Sequence, residues 1–290
     1  MILSTLSNLK QRLAVSSIAV LFLLLVIYFS SYPIFRPIFA LAVAGAVGFA
    51  VWEYYQIAIA KQFAPLIKLG ITCAVAYVFA TFLYTQGIWP SLMPPIVLVG
   101  SLFLFSLYFL FHADNPLVNL AITIFGLAYL ALPLSLTVDI NYFFKDTTVQ
   151  DGRWWLFYLL SVTKMTDTGA YFIGRFFGKH KLAPHISPKK TIEGAIGGML
   201  FSIGISLLFA WLSNAFPTTV KLSLSYWEAL WLGMAMGFVA QIGDLIESLL
   251  KRDGGIKDSN QLPGLGGMLD IVDSLIFTTP LVFFFLKIQF

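Results

Sequence analysis

Nine stretches of this chain stay apolar for about 20 residues each, and that recurring length constrains the fold more than any other feature. They fall at roughly 13–29, 37–59, 66–84, 95–111, 117–137, 154–177, 192–212, 227–250 and 268–288. A run of this length, wound as a helix, spans the hydrocarbon of a bilayer and satisfies its own backbone hydrogen bonds there. Only 11% of the residues are charged, against about 25% in a soluble globular domain. The expected fold class is therefore all-α, a polytopic integral membrane protein with about nine transmembrane helices. Lys10 and Arg12 precede the first run as they would in a signal peptide. No small-residue cleavage site follows, because Ser31-Tyr32-Pro33 reads as a turn, so the first run is expected to be a retained helix.

Prolines punctuate the loops: Pro33 and Pro37, Pro65, Pro90 to Pro95, and Asp114-Asn115-Pro116. Cys73, the single cysteine, lies inside an apolar run, which excludes an intrachain disulfide and reads as a small buried hydrophobe. A net charge of +4 gives no reason to expect nucleic acid. In a membrane chain, surplus Lys and Arg report orientation instead. With the N-terminus in the cytoplasm, nine crossings leave Lys10, Arg12, Lys61, Lys68, Arg175, Lys179, Lys181, Lys189, Lys190, Lys251, Arg252 and Lys257 inside. Arg36, Lys145, Arg153, Lys221 and Lys287 fall outside, and Lys164 lies within a span. Twelve against five predicts a cytoplasmic N-terminus. It also predicts that loops 178–191 and 251–267 share one face of the membrane.

Charge is gathered in the second half. The chain divides into a hydrophobic N-terminal transmembrane region, 1–153, and a C-terminal transmembrane catalytic region, 154–290. Within the sixth span, Lys164 and Asp167 share a helix face. Each costs about 2.5–3.5 kcal/mol to insert, and such residues persist when paired or when they line a polar cavity. Arg175 lies two turns on, and Gly169, Gly174 and Gly178 leave room for close packing or for a ligand. The following loop, with Lys179, His180, Lys181, His185, Ser187, Lys189 and Lys190, is strongly basic. It reads as a phosphate-binding segment at a helix N-terminus, or as an ordinary positive-inside loop. Glu193 reads as a first-turn capping residue.

Residues 241–274 hold six carboxylates, Asp244, Glu247, Asp253, Asp258, Asp270 and Asp273, and three cations, Lys251, Arg252 and Lys257. Asp244, Glu247, Ser248 and Lys251 recur on one helix face. Two acidic helix ends around a basic loop can hold a divalent cation against a polyphosphate, and carboxylate oxygens suit Mg²⁺. No Walker-type glycine loop and no histidine-rich metal motif occurs.

These residues resemble the phosphatidate cytidylyltransferases, or CDP-diacylglycerol synthases. That family ends in a signature close to S-x-x-K-R-x4-K-D followed by P-G-H-G-G-x-x-D-R-x-D. Ser248, Lys251, Arg252, Lys257 and Asp258 match the first part, and Pro263, Gly264, Gly266, Gly267, Asp270 and Asp273 the second. Residues 167–194 resemble the family's upstream segment. Leu265 and Ile271 stand where the family has histidine and arginine, and the loop before Pro263 is one residue shorter.

The resemblance implies transfer of the cytidylyl group from CTP to phosphatidic acid, giving CDP-diacylglycerol and pyrophosphate for phospholipid biosynthesis, on the cytoplasmic face of the membrane. With no organelle signal in the sequence, that membrane is expected to be a bacterial inner (plasma) membrane. It implies Mg²⁺ at Asp244 and Asp270, with a second cation such as K⁺. Asp244, Asp270, Asp273, Lys251, Arg252, Lys257 and Asp258 become catalytic candidates. Asp167, Arg175, Ser187, Lys189, Lys190 and Ser248 become substrate-binding candidates. The lipid bilayer is a partner, and a homodimer is left open. Two rival readings are a CTP-dependent polyprenol kinase-like enzyme and a cation-coupled transporter.

Overall fold

The computed structural model describes residues 17, 18, 20–112, 115–145, 148–255 and 267–290. These residues form a helical bundle: α1 (Val20–Phe29), α2 (Arg36–Ala60), α3 (Ile67–Thr85), α4 (Met93–Phe111), α5 (Pro116–Asn141), α6 (Gly152–Phe177), α7 (Ile192–Ala215), α8 (Tyr226–Asp253) and α9 (Met268–Gln289). Seven of them, α2 to α5 and α7 to α9, are long and apolar enough to cross a membrane by length and composition. The all-α, multi-pass reading is borne out, and among the described residues each sequence run coincides with one helix.

Local chemistry sets the helix ends. Asp151 caps α6 by accepting from Arg153 N–H at 2.9 Å, and the same carboxylate grips the Arg153 guanidinium. Thr191 caps α7 through Gly194 N–H, and Ser225 and Glu228 form a reciprocal capping box on α8. Pro133 lacks an N–H and so cannot bond back into the preceding turn, and Leu127–Ala131 widens into a π-helical turn just before it. Helix α9 breaks at Asp273-Ser274 into a first turn, Met268–Val272, and a longer segment, Leu275–Gln289, which contains Pro280.

Between α7 and α8 the backbones approach closely and are tied by hydroxyls. Ser202 donates to Gly233 C=O and Ser206 to Ala229 C=O, each at 2.5 Å. Such small-residue seams replace the hydrophobic drive that helices lose in lipid. The glycines of α6 serve packing: a Cβ on Gly169 would lie 2.5 Å from the Phe201 ring, and one on Gly174 3.4 Å from Gly194 Cα. Cys73 is buried and free.

The basic loop after α6 is a two-stranded antiparallel hairpin, β1 (Lys181–Ala183) and β2 (Ser187–Thr191). Glu193 does more than cap its own helix. Its carboxylate accepts from the backbone N–H groups of Lys179 and His180 and meets His180 Nδ1 at 2.6 Å, fastening the start of the hairpin to α7.

Candidate active site

The C-terminal ends of α2, α6 and α8 meet the N-terminal ends of α7 and α9 at one end of the bundle. Lys61, just past α2, pairs with Asp253 at the end of α8 (2.6 Å). Arg252 Nε donates to Ile186 C=O in the hairpin turn. The sequence count put 178–191 and 251–267 on one side, and among the described residues these segments do lie together.

At this end Asp244, Glu247 and Asp273 each turn a carboxylate oxygen inward, and the three oxygens lie within 4.8 Å of one another. Asp244 and Glu247 stand one turn apart on α8, and Asp273 sits at the break in α9. Gly243 makes the approach possible, because a Cβ there would lie 2.5 Å from the Asp273 carbonyl oxygen. Glu247 and Asp273 are buried and Asp244 half-buried. Three carboxylates this close repel one another strongly where water is scarce, and cations beside them stabilise their ionised forms.

Lysines supply part of that charge. Lys190 reaches Asp244 at 2.7 Å, and Lys251 bridges Glu247 (2.5 Å) and Asp270. Lys164 bonds Asp167 (3.3 Å), Ser274 Oγ (3.3 Å) and Ile271 C=O (2.7 Å). Ser274 Oγ donates onward to Asp167 at 3.1 Å. An all-oxygen donor set suits a hard divalent ion such as Mg²⁺. The inward convergence of three acid groups, with the lysines attached around them, fits such an ion.

A cleft of about 410 Å³, within the usual range for small-molecule sites, adjoins this centre at Asp244. Asp167, Asp244, Arg175, Lys189, Lys190 and the α7 cap Thr191 are among the residues that line it. Arg175 donates to the Tyr171 hydroxyl, and Gln241 is fixed by Gly237 and Ala195 carbonyls.

Most of the candidates from sequence thus meet here. Asp167, Arg175, Lys189, Lys190 and Asp244 line the cleft, and Asp273 joins Asp244. Asp270 stands beside the cluster, exposed and paired with Lys251. Ser187 opens strand β2, and Ser248 lies half-buried on α8, outside the cleft lining. Lys257, Asp258 and Leu265 lie outside the described residues. Sequence reasoning did not single out Glu247 as part of the cluster, nor Glu53, which accepts from Met268 N–H (3.0 Å) and Leu269 N–H (2.6 Å). The signal for Glu53 was available: it is the sole acidic residue before Asp114.

The sequence matches the cytidylyltransferase family over residues 10–289. The chain belongs to that family. Among relatives of this cytidylyltransferase, a phosphatidate cytidylyltransferase of Chlamydia pneumoniae is 33% identical, covering 97% of this chain and 92% of its own length. One from Haemophilus influenzae is 32% identical over 96% of this chain and 98% of its own. One from a Synechocystis strain is 32% identical, over 85% and 87% respectively. The resemblance read from residues 167–194 and 241–274 therefore extends along nearly the whole chain.

Proposed function

We propose that this cytidylyltransferase joins CTP to phosphatidic acid, forming CDP-diacylglycerol and pyrophosphate. The observation that carries the reading is the Asp244–Glu247–Asp273 centre adjoining a cleft lined by Arg175, Lys189 and Lys190. The names carried by the relatives select phosphatidate as the acceptor. A phosphate oxygen of the lipid bonds to the α-phosphorus of CTP, and the bond from that phosphorus to the β-phosphate oxygen breaks, so pyrophosphate leaves with its electron pair. The acceptor is already an anion, so no general base is required, and Leu265 in place of the family's histidine is compatible with turnover.

The chief barrier is bringing two anions together, which positioning and charge neutralisation overcome. Lys189, Lys190 and Arg175 hold phosphate oxygens at the cleft wall, with Ser187 and Ser248 as further substrate contacts. Asp244, Glu247 and Asp273 would hold Mg²⁺, with Asp270 and Asp167 as further acidic groups beside them. When bound, the ion neutralises phosphate charge and polarises the phosphorus under attack. Lys164 keeps Asp167 and the start of α9 in register with this centre. Lys251 sets Glu247 and Asp270, and Arg252 keeps the hairpin against α8. Lys257 and Asp258 remain catalytic candidates on the resemblance. On the resemblance, a second cation such as K⁺ would join the Mg²⁺.

The centre lies at the cytoplasmic face of a bacterial inner membrane, where the charge count puts this end of the bundle and where CTP is available. Region 154–290 supplies the chemistry and 1–153 supports it. A homodimer is compatible with this arrangement. Charge gathered at one end of the bundle disfavours the transporter reading, whose coupling sites belong near the midplane.

The deciding experiment supplies purified protein with labelled CTP and either phosphatidate or a dolichol-like alcohol, with and without Mg²⁺. CDP-diacylglycerol formed only with phosphatidate and Mg²⁺ is expected. Phosphorylation of the alcohol, or no product with phosphatidate, overturns the proposal.

A further inference from the structure

Glu53 lies in the middle of the apolar N-terminal half and is 1% exposed. An ionisable group inside a membrane helix is costly and persists where it has a specific task. Its carboxylate accepts from two successive backbone N–H groups, Met268 and Leu269, more than two hundred residues along the chain. Those amides open α9 directly ahead of Asp270 and one turn ahead of Asp273. Helix α9 has no cap of its own, since Gly267 precedes it and provides no side-chain bond. Regular helical bonding lapses at Asp273-Ser274, although both residues keep right-handed helical dihedrals. Charged side chains hold the first turn, Met268–Val272, at both ends: Glu53 from α2 at the amides, and Lys164 from α6 at the Ile271 carbonyl.

We propose that Glu53 is a positioning residue for the acidic centre: by binding the first two amides of α9 it sets where Asp270 and Asp273 stand relative to Asp244 and Glu247. The N-terminal region then contributes to the site through one carboxylate. The inference rests on the reading of that centre as a divalent-ion site, and it requires at position 53 a carboxylate long enough to reach both amides. A glutamine offers one carbonyl oxygen for two donors and no negative charge at a helix N-terminus. Outer groups that orient metal ligands typically cost 10–100-fold in affinity when altered.

The test titrates Mn²⁺ into the purified full chain and follows free ion by electron paramagnetic resonance, which yields affinity and number of sites separately. Glu53→Gln is expected to weaken Mn²⁺ binding about tenfold with the number of sites unchanged, and to raise the Mg²⁺ needed for half-maximal activity in parallel. A residue that only stabilised the fold would lower the number of sites and leave affinity at the parental value, and that result overturns the proposal. If Glu53→Gln does not accumulate, Glu53→Asp decides in the same titration. It keeps the charge on a shorter side chain, and parental affinity there also overturns the proposal. A parent that binds Mn²⁺ yet makes no CDP-diacylglycerol sinks the proposed reaction and leaves Glu53 to be judged by the titration alone. A parent without Mn²⁺ binding sinks both.

Discussion

Lys251 holds two carboxylates at once, and its side chain is only 8% exposed. Replacing it by methionine leaves Glu247, buried at 3% exposure, without its cation. Breaking a buried ion pair from one side costs about 3–5 kcal/mol. Lys251→Met is therefore expected to lose both thermal stability and turnover. Adding Glu247→Gln removes the orphaned charge and should restore most of the stability while activity stays lost. Melting and turnover measured on the two single variants and the double variant test this, and strictly additive stability losses would remove the pairing from the account. Asp244→Asn and Asp273→Asn are expected to lower turnover by at least about 100-fold, with the protein still in the membrane. Full activity in either would remove that residue from the metal set. The sequence made Asp244 and Asp273 visible because charges in apolar runs stand out. Glu53 stood out in the same way, but the partner that gives it meaning is remote in the chain, and no spacing rule connects the two. Glu247 shares its helix face with Asp244, a pattern equally at home on a solvated surface.

At the scale of elements, the site depends on two backbones passing at close range. Gly243 of α8 lies against the Asp273 carbonyl, and a methyl group there would sit 2.5 Å from it. Neither atom is the tip of a flexible side chain, so helices must move apart to admit the methyl. Overpacking of this kind costs about 1–3 kcal/mol, and a misplacement near 1 Å at a reacting centre can cost about 100-fold in rate. Gly243→Ala is thus expected to keep the protein folded while lowering turnover by at least about tenfold. Parental turnover with an unchanged melting temperature would mean that the α8–α9 approach is not limiting. The helices themselves were readable from their apolar runs. The break in α9 was not, because the apolar run resumes directly after Asp273-Ser274, and the bonds that hold the first turn come from the remote Glu53 and Lys164. The hairpin after α6 was also hidden. Its residues carry loop composition, and what fastens its start is Glu193, reaching back to the amides of Lys179 and His180.

For the whole molecule, the bundle has two unlike ends. One gathers the hairpin, the acidic centre and the Lys61–Asp253 pair. The other holds the α3–α4 turn near Ile88 and the Asp151–Arg153 fork at the start of α6. The positive-inside count sets the first end toward the cytoplasm, and the proposed reaction requires this, since a triphosphate does not cross hydrocarbon unaided. The two demands are independent, so testing orientation also tests the chemistry. Cys73 is buried, and Cys73→Ala provides a background without thiols. On it, Pro184→Cys marks the exposed hairpin turn, and Ile88→Cys, at a position 64% exposed, marks the opposite end. In intact bacterial cells a membrane-impermeant maleimide is expected to label Ile88→Cys, and Pro184→Cys only after permeabilisation. The reverse pattern would turn the acidic centre away from CTP and end the proposed reaction. Labelling of both sites from one side would contradict the bundle itself, because three helices, α4 to α6, run end to end between the two positions.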